Sequence, residues 1–234
     1  MCRFPFWLPL IWGFAAEVPP CVCAQTVQPR TNQSAPVPVL AGYTALRFGV
    51  GDAIPSGSEL FAKGWVTGQS LSLTLERYVS LNYERGWDVS LGADVQRGRH
   101  PFDEARFVAQ ARPNGNPATT ASGRTLTITN IGGLVRLQRT GEHLKPFALV
   151  DFGYFACGGG RVDYAGPNGS GSIDLCAKSG SFFGVDGGVD FAARNSALTI
   201  DLGYAVNSTG PDEPIAELFV IHVGLRRLLA RGWL

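Results

Sequence analysis

At 234 residues the chain suits one domain of sandwich or barrel type. Its 20 lysines and arginines against 19 aspartates and glutamates leave a formal charge of +1, which excludes a basic stripe for nucleic acid and an acidic tail. The 30 glycines follow no collagen period and belong to turns and close packing.

In chain order, a secretory signal comes first. Arg3 precedes the apolar run "FPFWLPLIWGFAA", which is short for a membrane span and interrupted by prolines. Val22-Cys23-Ala24 places small residues before a cleavage point, so residues 1–24 are expected to be removed. Cys2, Cys21 and Cys23 leave with them, and the five cysteines reduce to Cys157 and Cys176. In the oxidising compartment that export implies, this pair is expected to form a disulfide across a glycine-rich segment. Residues 25–40, proline-rich and polar, predict an extended periplasmic linker.

From residue 41 onward the recurring period is two, which predicts strands. Eight are expected, at 41–50, 70–82, 86–97, 123–139, 145–156, 180–193, 197–207 and 215–228. The second alternates Leu71, Leu73, Leu75 with Ser72, Thr74, Glu76, and the sixth and seventh behave likewise. The fourth changes phase near Asn130–Ile131, which predicts a β-bulge. The fifth, "FALVDFGYF", is apolar on both faces and fits least well. Long connections (51–69, 98–122, 157–179, 208–214) alternate with short ones ("NYERG", "TGEHLK", "ARNSA"). Every long loop therefore falls at one end of an all-β, antiparallel, up-and-down sheet.

Which face of that sheet is wet follows from the polar positions. A water-facing surface would be rich in lysine and glutamate, whereas this one carries Gly92, Gly184, Gly188, Gly203 and Ala205 among its charges. Small residues suit the cramped interior of an eight-stranded barrel. The expected fold is thus an eight-stranded transmembrane β-barrel with lipid outside and a polar lumen. The inward charges Arg47, Glu76, Asp88, Asp94, Arg136, Asp186, Asp190, Asp201 and Arg226 are expected to pair as a plug. Trp87, Phe183, Phe191, Tyr204 and Phe219 lie near the ends of apolar faces and are expected to form interfacial girdles.

The stretches "LKPFALVDFGYF", "FFGVDGGVDFAARNSALTIDLGYAV" and "ELFVIHVGLRRLL" resemble the small eight-stranded outer-membrane barrels of the OmpA/OmpX-like and opacity type, over residues 41–228. The resemblance implies a bacterial outer-membrane location, with outer-membrane lipid and the barrel-assembly machinery as partners. Family members end their last strand on an aromatic residue, while this chain continues through a 229–234 extension, "ARGWL" at its close.

Other motifs point to no chemistry. "GVGDAI" at Gly49 runs into Pro55 without opening a helix, and "CGGGRVDYAGPNGSGS" lacks the lysine of a phosphate loop. His100, His143 and His222 have no metal-ligand spacing, and His222 has Gly224, not serine, two residues on. No metal, cofactor or catalytic residue is expected. The expected role is envelope integrity or surface interaction through the loops with a ligand the sequence does not name. The alternatives are a narrow pore, a lipid-modifying barrel enzyme and a soluble barrel carrying an apolar ligand.

Overall fold

The structure is a computed structural model that describes residues 42–57, 59–82, 86–141, 143–210 and 214–229. The signal peptide over 1–24, the linker over 25–40 and all but residue 229 of the 229–234 extension lie outside them.

Eight long strands form a closed antiparallel barrel: β1 (Thr44–Ser56), β2 (Gly68–Asn82), β3 (Trp87–His100), β5 (Leu126–Arg139), β6 (Leu144–Gly158), β9 (Gly180–Ala193), β10 (Ser196–Ser208) and β11 (Pro214–Leu228). Each pairs with its sequence neighbours in the barrel, and β1 closes the cylinder on β11, from Ala45 opposite Leu228 to Ser56 opposite Glu217. The loops carry a second, three-stranded sheet made of β4 (Thr120–Gly123), β7 (Arg161–Gly166) and β8 (Gly169–Asp174). They also carry two short helices, α1 (Glu59–Gly64) and α2 (Glu104–Gln110).

The outward face is apolar. Leu46, Phe48, Leu73, Leu91, Val135, Phe152, Val185, Leu202, Ile221 and Leu225 are all exposed, with charged groups turned inward behind them. Among the described residues of the barrel strands, outward charges lie away from the middle of the belt, with Arg77, Arg139 and Arg227 toward the short turns and Asp52, Arg97, Arg99 and Glu217 toward the long loops. This disposition is the reverse of a soluble ligand-carrying barrel, whose apolar face points inward. Phe183 and Phe191 mark the two ends of the apolar stripe on β9. Eight residues of tilted strand span roughly 20 Å, near the apolar band of such barrels.

Two strand expectations need correction. No bulge occurs at Asn130–Ile131: β5 keeps one register against β3 and one against β6 throughout. Its even-numbered residues from Leu126 to Gln138 all face inward. What changes along them is the chemistry of the interior, from Leu126 and Ile128 to Asn130, Arg136 and Gln138, and this mimics a change of phase. The register shifts instead between Val79 and Asn82 and between Asn207 and Ser208. Several strands also run further toward the long loops than expected, β1 to Ser56 and β3 to His100. There the sheet continues beyond the apolar belt, as Ser56 opposite Glu217 shows.

Candidate functional site

The lumen is built in three levels. Nearest the short turns lies an ionic knot across the barrel. Arg136, from β5, donates to Glu76 of β2 (3.4 Å) and Asp190 of β9 (2.7 Å). Arg226, from β11, reaches the same two carboxylates at 3.1 and 2.9 Å. Neutral donors occupy the remaining lone pairs: Ser90 on Glu76 (2.6 Å), Thr199 (2.8 Å) and Gln138 (2.8 Å) on Asp190. The Tyr78 hydroxyl donates to the Gln138 carbonyl at 2.8 Å. Arg136 also lies 3.6 Å above the Phe147 ring, and this contact accounts for an apolar residue on the inner face of β6. Buried charges in this density persist only when each has partners, and here they do.

The middle level holds Arg47, His222 and four aspartates. Arg47 binds Asp201 at 2.9 Å, and Thr74 donates to Asp94 at 2.6 Å. His222 meets Asp201 through Nδ1 (3.3 Å) and Ser70 Oγ through Nε2 (3.0 Å), a serine–histidine–aspartate chain across β2, β11 and β10. Asp151 and Asp186 lie against glycines of the next strand. A Cβ on Gly184 would sit 2.0 Å from an Asp151 oxygen, and one on Gly203 would sit 1.5 Å from an Asp186 oxygen. Glycine at those two positions is what lets the carboxylates lie flat along the wall.

Above them the interior turns apolar. Phe61 of α1, Trp65, and Phe107 of α2 fold inward over Leu126, Ile128, Phe155, Phe182, Leu218 and Val220 as one buried cluster. The Trp65 indole N–H donates to the Arg124 carbonyl at 3.0 Å, and the His100 ring packs edge-on against Phe61. Gly132 and Gly153 face each other across β5 and β6, leaving room for the tip of the Phe182 ring. Further out, Glu104 of α2 accepts the Ala121 N–H (3.3 Å), tying the helix to the edge of β4. The Cys157–Cys176 disulfide is present, with a Cα–Cα distance of 5.3 Å, at the foot of the β7–β8 hairpin.

No family model matches the chain, and no curated protein matches it. Similarity is found among solved structures. Neisserial surface protein A is 14% identical, covering 80% of this chain and 97% of that one, with a TM-score of 0.47. Ail, the attachment invasion locus protein of Yersinia pestis, is 14% identical over 81% and 99%, with a TM-score of 0.44. The outer membrane enzyme PagL is 13% identical over 78% and 98%, with a TM-score of 0.47. The likeness is to small outer-membrane barrels, and it is one of fold.

Of the inward charges singled out from the sequence, Arg47, Glu76, Arg136, Asp190, Asp201 and Arg226 are ion-paired, and Asp94 is held by Thr74. Asp88 lies buried at the short-turn mouth. Asp88 and Asp186 make no ion pair among the described residues. Trp87, Phe183, Phe191 and Phe219 face outward and are exposed. Tyr204 packs on Phe219 with ring centroids 5.0 Å apart and donates its hydroxyl to Glu217. Asp151, Ser70 and the pairing of His222 with Ser70 and Asp201 escaped the sequence reading. Ser70 is 152 residues from His222, and no local spacing signals such a pair.

Proposed function

We propose that the chain is an integral outer-membrane barrel with a sealed lumen, acting through its long-loop cap in surface interaction or envelope integrity and carrying no catalytic activity. One observation carries this reading: a closed sheet whose exposed face is apolar and whose charges are buried inside. In lipid every backbone group needs a partner, and closure supplies it. Short turns normally face the periplasm, so α1, α2 and the β4–β7–β8 sheet would stand outside the cell. Loops positioned by a rigid scaffold commonly carry recognition.

Cell fractionation with gel electrophoresis of boiled and unboiled samples tests the location. The protein is expected with the outer membrane and with a heat-dependent mobility, and recovery from the soluble periplasm without detergent would overturn the reading. A tag inserted near Asn114 is expected to be cleaved by protease on intact cells, and one near Asn195 to be protected.

The Ser70–His222–Asp201 chain favours a second reading, a hydrolase in which Ser70 is the nucleophile, His222 the base and Asp201 its orienting carboxylate. Against it, all three side chains are buried beneath the aromatic cluster, where no acyl group reaches Ser70 Oγ. An alkyl fluorophosphonate is expected to leave Ser70 unlabelled in the folded barrel. Labelling lost in the Ser70→Ala variant would make the hydrolase the better reading.

A further inference from the structure

The long-loop edge of the apolar belt is not uniform around the barrel. On β6, β9, β10 and β11 it is aromatic, with Phe152, Tyr154, Phe183, Tyr204 and Phe219. On β2, β3 and β5 the outward positions next after Leu71, Val95 and Ile131 are Gln69, then Arg97 and Arg99, then Thr129 and Thr127. Arg99 stands opposite Gln69 on one side and Thr127 on the other, and Arg97 opposite Leu71 and Thr129. Both arginines are exposed, and neither side chain makes a hydrogen bond or ion pair among the described residues. Asp52 on β1 stands one strand further away, opposite Gln69.

We propose that Arg97 and Arg99, with Thr127, Thr129 and Gln69, clamp the phosphate of a lipid headgroup in the leaflet on the long-loop side. The proposal rests on the membrane reading above. Two like charges two residues apart on one strand repel each other, and beside hydrocarbon they are screened less than in open water. A shared anion removes both difficulties. Guanidinium groups present paired N–H donors that match phosphate oxygens, and threonine hydroxyls and the glutamine amide add neutral donors beside them. Directly below, Leu71, Leu73, Val95 and Ile131 form an exposed apolar stripe along which acyl chains lie. The patch is an open wall with no enclosure, so a free phosphate would have little to hold it. A phosphate anchored by its own acyl chains gains from both parts.

The test uses the full-length barrel in an uncharged maltoside detergent, titrated with dioleoyl phosphatidate or with dioleoylglycerol, which has the same chains and no phosphate. Bound lipid is counted by native mass spectrometry. Phosphatidate is expected to bind the unmodified barrel, and the R97Q/R99Q variant about thirtyfold more weakly, since each of the two surface arginines contributes about 1 kcal/mol toward an anionic headgroup. R97K/R99K, which keeps the charge and loses the fork, is expected to fall between. Dioleoylglycerol binding is expected to be the same in all. R77Q/R227Q, which removes two outward arginines at the opposite edge, is expected to keep phosphatidate affinity. Equal phosphatidate binding by R97Q/R99Q, or an equal loss in R77Q/R227Q, would overturn the clamp. Heat-modifiable folding into neutral phosphatidylcholine vesicles is checked separately for each protein. If the unmodified barrel fails to insert there, the membrane reading fails rather than the clamp.

Discussion

Toward the short turns the lumen is closed by charge, with Arg136 and Arg226 gripping Glu76 and Asp190 from four different strands. Toward the long loops it is closed by hydrocarbon, as Phe61, Trp65 and Phe107 drop from the loops onto Phe155 and Phe182. The charged seal belongs to the barrel wall itself and is as rigid as the sheet. The apolar seal is half wall and half loop. The two also fail differently: one loses partners for charges that have no water, the other loses only volume.

Arg136→Ala should show the largest effect, because it strips Glu76 and Asp190 of a buried partner. A loss of about 3–5 kcal/mol is expected in urea unfolding from vesicles. A loss under about 1 kcal/mol would mean that water reaches the knot and that the contrast between the seals is false. Phe155→Ala in the apolar seal is expected to cost about 3 kcal/mol by the same measurement. If the loops over it rearrange to fill the gap, the loss will be smaller and accompanied by faster proteolysis of 101–119.

Removing the disulfide sharpens the comparison from the cap side. A bridge spanning 19 residues would contribute about 3 kcal/mol in an otherwise free chain. Here β6 and β9 are already paired up to Phe155 opposite Gly180. The C157S/C176S variant should therefore unfold within about 1 kcal/mol of the parent, since little loop entropy is left to remove. Its β7–β8 hairpin should be cut more readily on intact cells. Thiol titration of the unfolded, unreduced parent should find no free thiol at these positions. The smallest effect is expected in planar bilayers, namely none: with two seals in series, neither Arg226→Ala in the charged seal nor Phe155→Ala in the apolar one should give steady conductance. Reproducible single-channel steps from either would show that one seal alone holds the lumen closed.

Much of the barrel was legible because its wall separates an apolar exterior from a polar interior, and that contrast writes itself as alternation. The β9–β10 hairpin is the clearest case: Phe183 to Phe191 and Leu198 to Val206 alternate outward with glycines and aspartates inward. Legibility fell where the contrast vanished. At the top of β5 the interior is as apolar as the exterior, so Leu126 and Ile128 looked out of phase. In 51–69 and 98–122, Phe61, Trp65, Phe102 and Phe107 carry no period, because helices of six and seven residues are too short to display one. The β7–β8 hairpin did leave a signal, Val162 and Tyr164 in alternation before the "GPNG" turn. Glycine abundance masked it. Within the lumen, inward position could be read residue by residue, but partnership could not. Glu76 and Arg226 are 150 residues apart, and only closure of the cylinder brings them together.

That closure rests on strands from opposite ends of the barrel sequence, β1 on β11. During synthesis, the strand that β1 must pair with is the last to be made. Until it arrives, the growing sheet has two raw margins, each lined with N–H and C=O groups that hydrocarbon cannot satisfy. Insertion one hairpin at a time would expose those margins to lipid at every intermediate stage. A chain interrupted before Pro214 would lack not one-eighth of its stability but the means to exist in a bilayer at all. On the membrane reading proposed above, insertion is thereby all-or-none, complete only when the final strand has met the first.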